Sequence, residues 1–205
     1  MSTKSVIPAL LQINFKKYFG WEVTMPMILK YFNNGLKDEV KKIARALGKT
    51  TTPEQVEEFT RMMLDHKFTD KIPLLPNVEN LLGEIKRREL KMALCSNNFH
   101  SDLEKIIVRQ GLEGCFDVIV GEDDVLKKKP APDMILRALE VLGFEREEVI
   151  LIDDSSTGIK AGKSAGIKVL ATATGIQDVD TLWRFEPDRV VADLTEITLE
   201  EILKI

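Results

Sequence analysis

Along the first seventy residues the apolar positions recur at helical spacing. Ile7, Leu10, Leu11, Phe15, Tyr18 and Phe19 form one stripe, which Asn14 interrupts and Gly20 closes. Residues 25–32 repeat the pattern, and residues 37–47 place Val40, Ile43, Ala44 and Leu47 on one face, with Gly48 behind them. In Thr52-Pro53-Glu54-Gln55 a Thr N-cap precedes Pro at the first helical position, which predicts a helix running to about His66. This stretch therefore predicts helices and essentially no strand.

The pattern changes at Ile72-Pro73-Leu74-Leu75-Pro76, where two prolines mark a linker. Beyond it, short apolar runs alternate with amphipathic segments. Helices are predicted at 78–88, 102–110, 134–142 and up to Ala165; strands at 90–95, 116–120, 149–152, 168–173 and near 189–192; a loop at 127–133. Such alternation predicts an α/β fold, a doubly wound, Rossmann-like parallel sheet with function at the C-terminal strand ends. The run Val-Ile-Leu-Ile at 149–152 is apolar throughout, as a strand covered on both faces requires.

Composition narrows the function classes. Apolar residues make up 44% and charged residues 30%, an ordinary globular balance. A net charge of -4 argues against a nucleic-acid binder or a polybasic membrane surface, and points to small-molecule partners. Cys95 and Cys115 have no metal or redox spacing and read as reduced residues, which fits the cytoplasm. No apolar stretch has the length of a membrane span, and the N-terminus lacks the apolar core of a signal peptide. Nothing here distinguishes a monomer from a small homo-oligomer.

Three strand ends carry candidate chemistry. Asp153-Asp154 closes the apolar run, and adjacent carboxylates there repel unless a cation or proton relieves them; hard oxygen ligands suit Mg²⁺. The bland alternative is a helix cap beside a solvated acid. Strand 90–95 leads into Ser96-Asn97-Asn98, a hydroxyl and backbone N–H groups that serve a phosphate or merely a turn. Lys127-Lys128-Lys129-Pro130-Ala131-Pro132 offers an ammonium stiffened by prolines, or a solvated basic loop. Converging in one crevice, a hydroxyl, a fixed lysine and Mg²⁺ are what phosphoryl transfer needs, because it is catalysed by positioning and charge neutralisation.

This order of motifs resembles the haloacid dehalogenase (HAD) superfamily of hydrolases, especially its phosphoglycolate phosphatase and β-phosphoglucomutase-like members with a helical cap. The resemblance implies a helical cap over residues 1–73 and a HAD-like α/β core over 74–205. It implies a Mg²⁺-dependent phosphatase acting on a small phosphorylated metabolite. Ser96 corresponds to the family's second motif and Lys129 to its third, with Asn97 beside Ser96 at the phosphate; Asp153 and Asp154 correspond to its acidic metal-binding pair.

One part of the family pattern is missing. Family members begin with a strand ending in Asp-x-Asp, whose first Asp is the nucleophile, and that strand lies between the strand ending at Ser96 and the one ending at Asp154. Here the first Asp is Asp38, inside the helical region. Without that strand, two apolar edges are expected to face a gap, and the chain is expected to be inactive for want of a nucleophile. Three explanations stay open: an N-terminally incomplete sequence of a normal enzyme; a non-catalytic relative that keeps a phosphate or Mg²⁺ pocket for binding or regulation; or a complementing partner chain or different topology.

Gly158 to Ser164 resembles a P-loop but has one residue too few between its glycines, and the long helical N-terminus disfavours a receiver domain. His66 and His100 lack partners at ligand spacing and read as surface residues. Trp21 and Trp183 read as packing residues, Trp21 being also a candidate for the substrate cleft.

Overall fold

The computed structural model describes residues 3–32, 34–63 and 73–205. His66 and Ile72, where the fourth helix and the linker were bounded from the sequence, lie outside the described residues. The chain divides into two compact units, Met1–Pro73 and Leu74–Ile205.

The first unit is helical: α1 (Thr3–Asn14), α2 (Met25–Tyr31), α3 (Leu36–Ala46) and α4 (Pro53–Met63). Its core joins Leu11, Phe15, Ile28, Val40, Ile43, Val56 and Phe59. Buried Asn14, the interruption in the apolar stripe, donates from Nδ2 to the Leu10 carbonyl at 2.8 Å. From there the helix widens into a π turn, Phe15–Phe19, that ends at Gly20 with φ 69°, a left-handed conformation glycine adopts without a Cβ clash. At the head of α4, Thr52 N–H donates to Gln55 Oε1 at 3.0 Å and Gln55 N–H to Thr52 Oγ1 at 3.2 Å, a reciprocal cap.

The second unit runs α5 (Val78–Arg87), β1 (Ala93–Cys95), α6 (His100–Arg109), β2 (Val118–Val120), α7 (Asp133–Leu142), β3 (Ile150–Asp153), α8 (Ser156–Ala165), β4 (Lys168–Thr172), α9 (Val179–Trp183), β5 (Arg189–Val191) and α10 (Leu199–Ile202). Every strand pair is parallel. Strand β1 is shorter than the apolar run at 90–95 suggests. Glu89 is left-handed and Leu90 N–H still donates to the Ile85 carbonyl, so the exit from α5 consumes the run's start.

The strands form two sheets, β1-β2 and β3-β4-β5. Among the described residues no strand lies between β1 and β3, so each keeps one unpaired edge. The consequence is visible in burial: every residue of β1 and β3 is only half-buried, whereas β4, paired on both sides, buries Val169, Leu170, Ala171 and Thr172. Helices hold the two sheets in one unit. Cys95 of β1 and Leu151 of β3 pack with Ile135 and Leu139 of α7 and with Ala161 and Ala165 of α8.

Candidate functional site

The C-terminal ends of β1 and β3 and the loop before α7 supply the site. Asp153 is the last residue of β3. Its Oδ2 accepts from Lys129 Nζ at 2.8 Å, with both side chains nearly closed to solvent (9% and 10% exposed). Its Oδ1 accepts from the backbone N–H of Ser155 at 2.9 Å and from Ser155 Oγ at 2.6 Å. Ser155 is also the N-cap of α8, with Oγ accepting from Gly158 N–H at 3.0 Å. The carboxylate thus sits at the positive end of a helix and against an ammonium, two favourable fields for one negative charge.

Glycine makes this approach possible. A Cβ at Gly158 would overlap the Asp153 carboxyl group itself, so the first turn of α8 passes against that carboxylate only because position 158 is bare. On the far side of the pair, a Cβ at Gly175 would lie 2.6 Å from the Asp154 carbonyl oxygen and 2.8 Å from its carboxylate. Gln177 from the same loop accepts the Ser156 N–H at 2.7 Å.

Each lysine of the 127–129 run has its own task. Lys127 N–H donates to Asp133 Oδ2 at 3.1 Å, Lys128 Nζ to Glu122 Oε2 at 2.7 Å, and Lys129 reaches Asp153. The solvated-loop alternative therefore fails at Lys129. The Lys129–Pro130 peptide is cis. Asn97 Nδ2 donates to the Lys129 carbonyl at 3.1 Å, tying the end of β1 to this loop. Ser96 stands one residue earlier, where its Oγ accepts from Asn98 N–H at 3.3 Å. The structure therefore brings Asn97, Lys129 and Asp153 into direct contact, with Ser96 and Asp154 adjacent in the chain. Burial pushes the Cys95 thiol up to about 11; Lys129 opposes that shift and Asp153 adds to it. Cys95 is a free thiol, as is Cys115.

Mg²⁺ demands near-octahedral oxygen coordination. Both oxygens of Asp153 are engaged, and among the described residues no group of three or more His, Cys, Asp or Glu side chains could hold a metal ion. These residues alone do not complete a Mg²⁺ site. Asp178-Val179-Asp180 has Asp-x-Asp spacing but heads a helix: Asp178 caps α9 by accepting the Thr181 N–H at 2.9 Å.

One reading from the sequence is corrected, that of Trp183, and one is refined, that of His100. His100 keeps a surface position and gains a partner distant in the chain: it opens α6, its Nδ1 lies 2.6 Å from Asp124 Oδ2, and its backbone N–H donates to Asp123 Oδ1 at 2.7 Å. Trp183 is not a packing residue, being 48% exposed at the end of α9. The segment Gly158 to Ser164 lies within α8, as its apolar spacing requires. Sequence reasoning passed over Ser155, Gly175 and Gln177; the Asp-Asp-Ser run is the signal that could have found Ser155, since a Ser directly after a strand end is a natural N-cap.

Residues 1–172 match the family described as haloacid dehalogenase-like hydrolase. The chain is 38% identical over 152 residues to the bifunctional riboflavin kinase/FMN phosphatase of Arabidopsis thaliana, covering 73% of this chain and 40% of that protein, so it spans under half of that relative's length. It is 31% identical over 166 residues to the phosphoglycolate phosphatase of Aquifex aeolicus, covering 81% of this chain and 74% of that protein. In fold it is similar to a HAD hydrolase, family IA, variant 3, from Entamoeba histolytica, with TM-score 0.82, 22% identity, and coverage of 98% of this chain and 92% of that one. Among the described residues no helix is long and apolar enough to cross a membrane.

Proposed function

The chain belongs to the haloacid dehalogenase-like hydrolases, and from that membership we propose that residues 74–205 carry the phosphate site of a phosphomonoester phosphatase acting on small phosphorylated metabolites. The observation that carries this reading is the buried Lys129–Asp153 pair, tied through Asn97 to the end of β1. It holds an ammonium at the C-terminal strand ends, where charge on a phosphoryl group has to be neutralised. Ser96 and the neighbouring N–H groups supply hydrogen bonds to the phosphate; Lys129 supplies the positive charge. Asp153 and Asp154 are the metal-side carboxylates of a Mg²⁺ site that these residues leave short of ligands. The helical residues 1–73 are the cap that selects the substrate. Reduced thiols at Cys95 and Cys115 suit the cytoplasm.

Turnover needs a carboxylate nucleophile, and among the described residues the other acids that follow strands are engaged elsewhere, Glu122 by Lys128, Asp123 and Asp124 by His100, and Asp193 by Thr195. We therefore expect the 205-residue chain to bind phosphate without hydrolysing phosphomonoesters, since losing a covalent nucleophile costs several orders of magnitude in rate. A second reading, a non-catalytic phosphate-binding or regulatory protein, is favoured by the helix-capping role of Asp178, which leaves Asp178-Val179-Asp180 unsuited to attack.

Isothermal titration of inorganic phosphate into the native chain and Lys129→Ala should show binding in the first and marked loss in the second; equal binding removes Lys129 from the site. Adding a β-strand segment ending in Asp-x-Asp ahead of Ser2 should create Mg²⁺-dependent p-nitrophenyl phosphate hydrolysis. Brisk, Asp154-dependent turnover by the unextended chain would place the nucleophile elsewhere. A folded, Mg²⁺-binding extended chain that stays inert would favour the binding protein.

A further inference from the structure

The helical unit holds a hollow of about 490 Å³ lined mainly by Tyr18, Phe19, Trp21, Lys49, Thr50 and Gln55. All its lining comes from Met1–Pro73, and none of the phosphate-site residues contributes.

Its aromatic wall is a product of the π turn. Left-handed Gly20 turns the chain back so that Trp21 stacks on Phe19, ring centroids 4.3 Å apart and planes 16° apart, while Tyr18 meets Phe19 edge-on at 4.6 Å. The Tyr18 hydroxyl donates to Glu58 Oε2 at 2.6 Å; that bond raises the phenol above its usual range and keeps it neutral. Another part of the rim comes from the chain leaving α3. Lys49 N–H donates to the Ala44 carbonyl at 2.8 Å, but among the described residues the Lys49 ammonium makes no hydrogen bond or ion pair, nor does the Thr50 hydroxyl. Gln55 accepts the Thr52 N–H with Oε1, which leaves its NH₂ to donate. Among nearby acids, Glu22 is paired with Lys16, Glu58 accepts from the Tyr18 hydroxyl, and Glu54, next to Gln55, is hydrogen-bonded at Thr52.

An aromatic wall beside a rim whose Lys49 ammonium is uncompensated among the described residues, with spare donors, is complementary to a ligand with a planar ring and a negative charge. The volume falls within the roughly 300–1,000 Å³ of small-molecule sites. We propose that the helical unit binds a planar aromatic anion of nucleoside-monophosphate size at this hollow, independently of the phosphate site proposed for residues 74–205.

The test uses the full chain carrying Trp183→Phe, which leaves Trp21 as the one tryptophan, and follows its fluorescence. Adenosine 5′-monophosphate should quench Trp21 saturably, with adenosine and inorganic phosphate each at least about tenfold weaker. Lys49→Met should weaken the nucleotide about tenfold or more, the usual contribution of a charge-assisted hydrogen bond. Lys49→Arg should keep affinity within about threefold of the parent. Lys129→Ala and the milder Ser96→Ala should leave the Trp21 response unchanged, which separates this site from phosphate binding in the α/β unit. The proposal is overturned by an absent or unsaturable response, by equal affinity in Lys49→Met, by a matching response to adenosine or phosphate alone, or by loss of the signal in Ser96→Ala.

Discussion

At Gly158 an added methyl group would enter the Asp153 carboxyl, and Asp153 has nowhere to go while Lys129 and Ser155 hold it. Overpacking of this kind costs about 1–3 kcal/mol, more where neighbours cannot shift. Gly158→Ala should therefore lose at least about 2 kcal/mol in urea unfolding and lower phosphate affinity, because Lys129 loses its fixed partner. Gly83 is the contrasting case: it lies inside α5 with open space around its α-carbon. Gly83→Ala should stabilise the chain by about 0.5–1 kcal/mol, since alanine has less freedom to lose on folding. Two helical glycines thus take the same substitution with opposite sign.

Between elements, the turn Gly121 to Asp124 is fastened to the start of α6. Glu122 N–H donates to the Asn98 carbonyl at 2.9 Å, Gly121 N–H to Asp124 Oδ2 at 2.7 Å, and His100 meets Asp124. The hydrogen bond to Asp124 raises His100, against the pull of burial. Burial pushes Asp124 up, but its bonds from His100 and Gly121 N–H outweigh this and leave it lowered. A raised histidine stabilises the fold fully below its unfolded value of about 6.5 and loses that contribution as pH climbs through the folded value; a lowered aspartate contributes above about 3.9 and loses it as pH falls. The fastening is thus strongest from mildly acidic to near-neutral pH. NMR titration should find the His100 imidazole above 6.5, and Asp124→Asn should bring it down; an unshifted His100 would remove the ionic part of the contact.

The strands make a separate prediction at this scale. Because β4 is paired on both sides and buried, its amides should exchange with solvent more slowly than those of β1 and β3, each with one unpaired edge. Equal protection of β3 and β4 would show that the open edge of β3 is covered in solution.

Over the whole molecule, the large apolar cluster centred on Phe15, Val40 and Phe59 lies within the helical unit, and the remaining clusters lie within the α/β unit. Each unit also holds one tryptophan, Trp21 and Trp183. Phe59 is fully buried, and Phe59→Ala should cost the helical unit about 3–5 kcal/mol. Single-tryptophan variants should report that loss through Trp21 and a much smaller one through Trp183; equal shifts at both would show the units unfolding as one.

The helix and strand order was legible in the sequence because apolar periodicity and local caps decide it: the stripe Val40, Ile43, Ala44, the Thr52-Pro53 start and the apolar run ahead of Asp153 each act over a few residues. Ser96 and Asp153-Asp154 were legible as polar residues that follow apolar strand runs, and Lys129 as the lysine before proline in the loop ahead of α7. Tertiary structure decided what depends on approach between distant segments. That Lys129 reaches Asp153 in a buried ion pair, that His100 finds Asp124 and that Gly175 closes on Asp154 depend on distances the chain sets only once folded, whereas the open edges of β1 and β3 were expected from the missing strand. A pairwise contact falls off over a few ångströms, whereas the sequence fixes neighbours only along the chain.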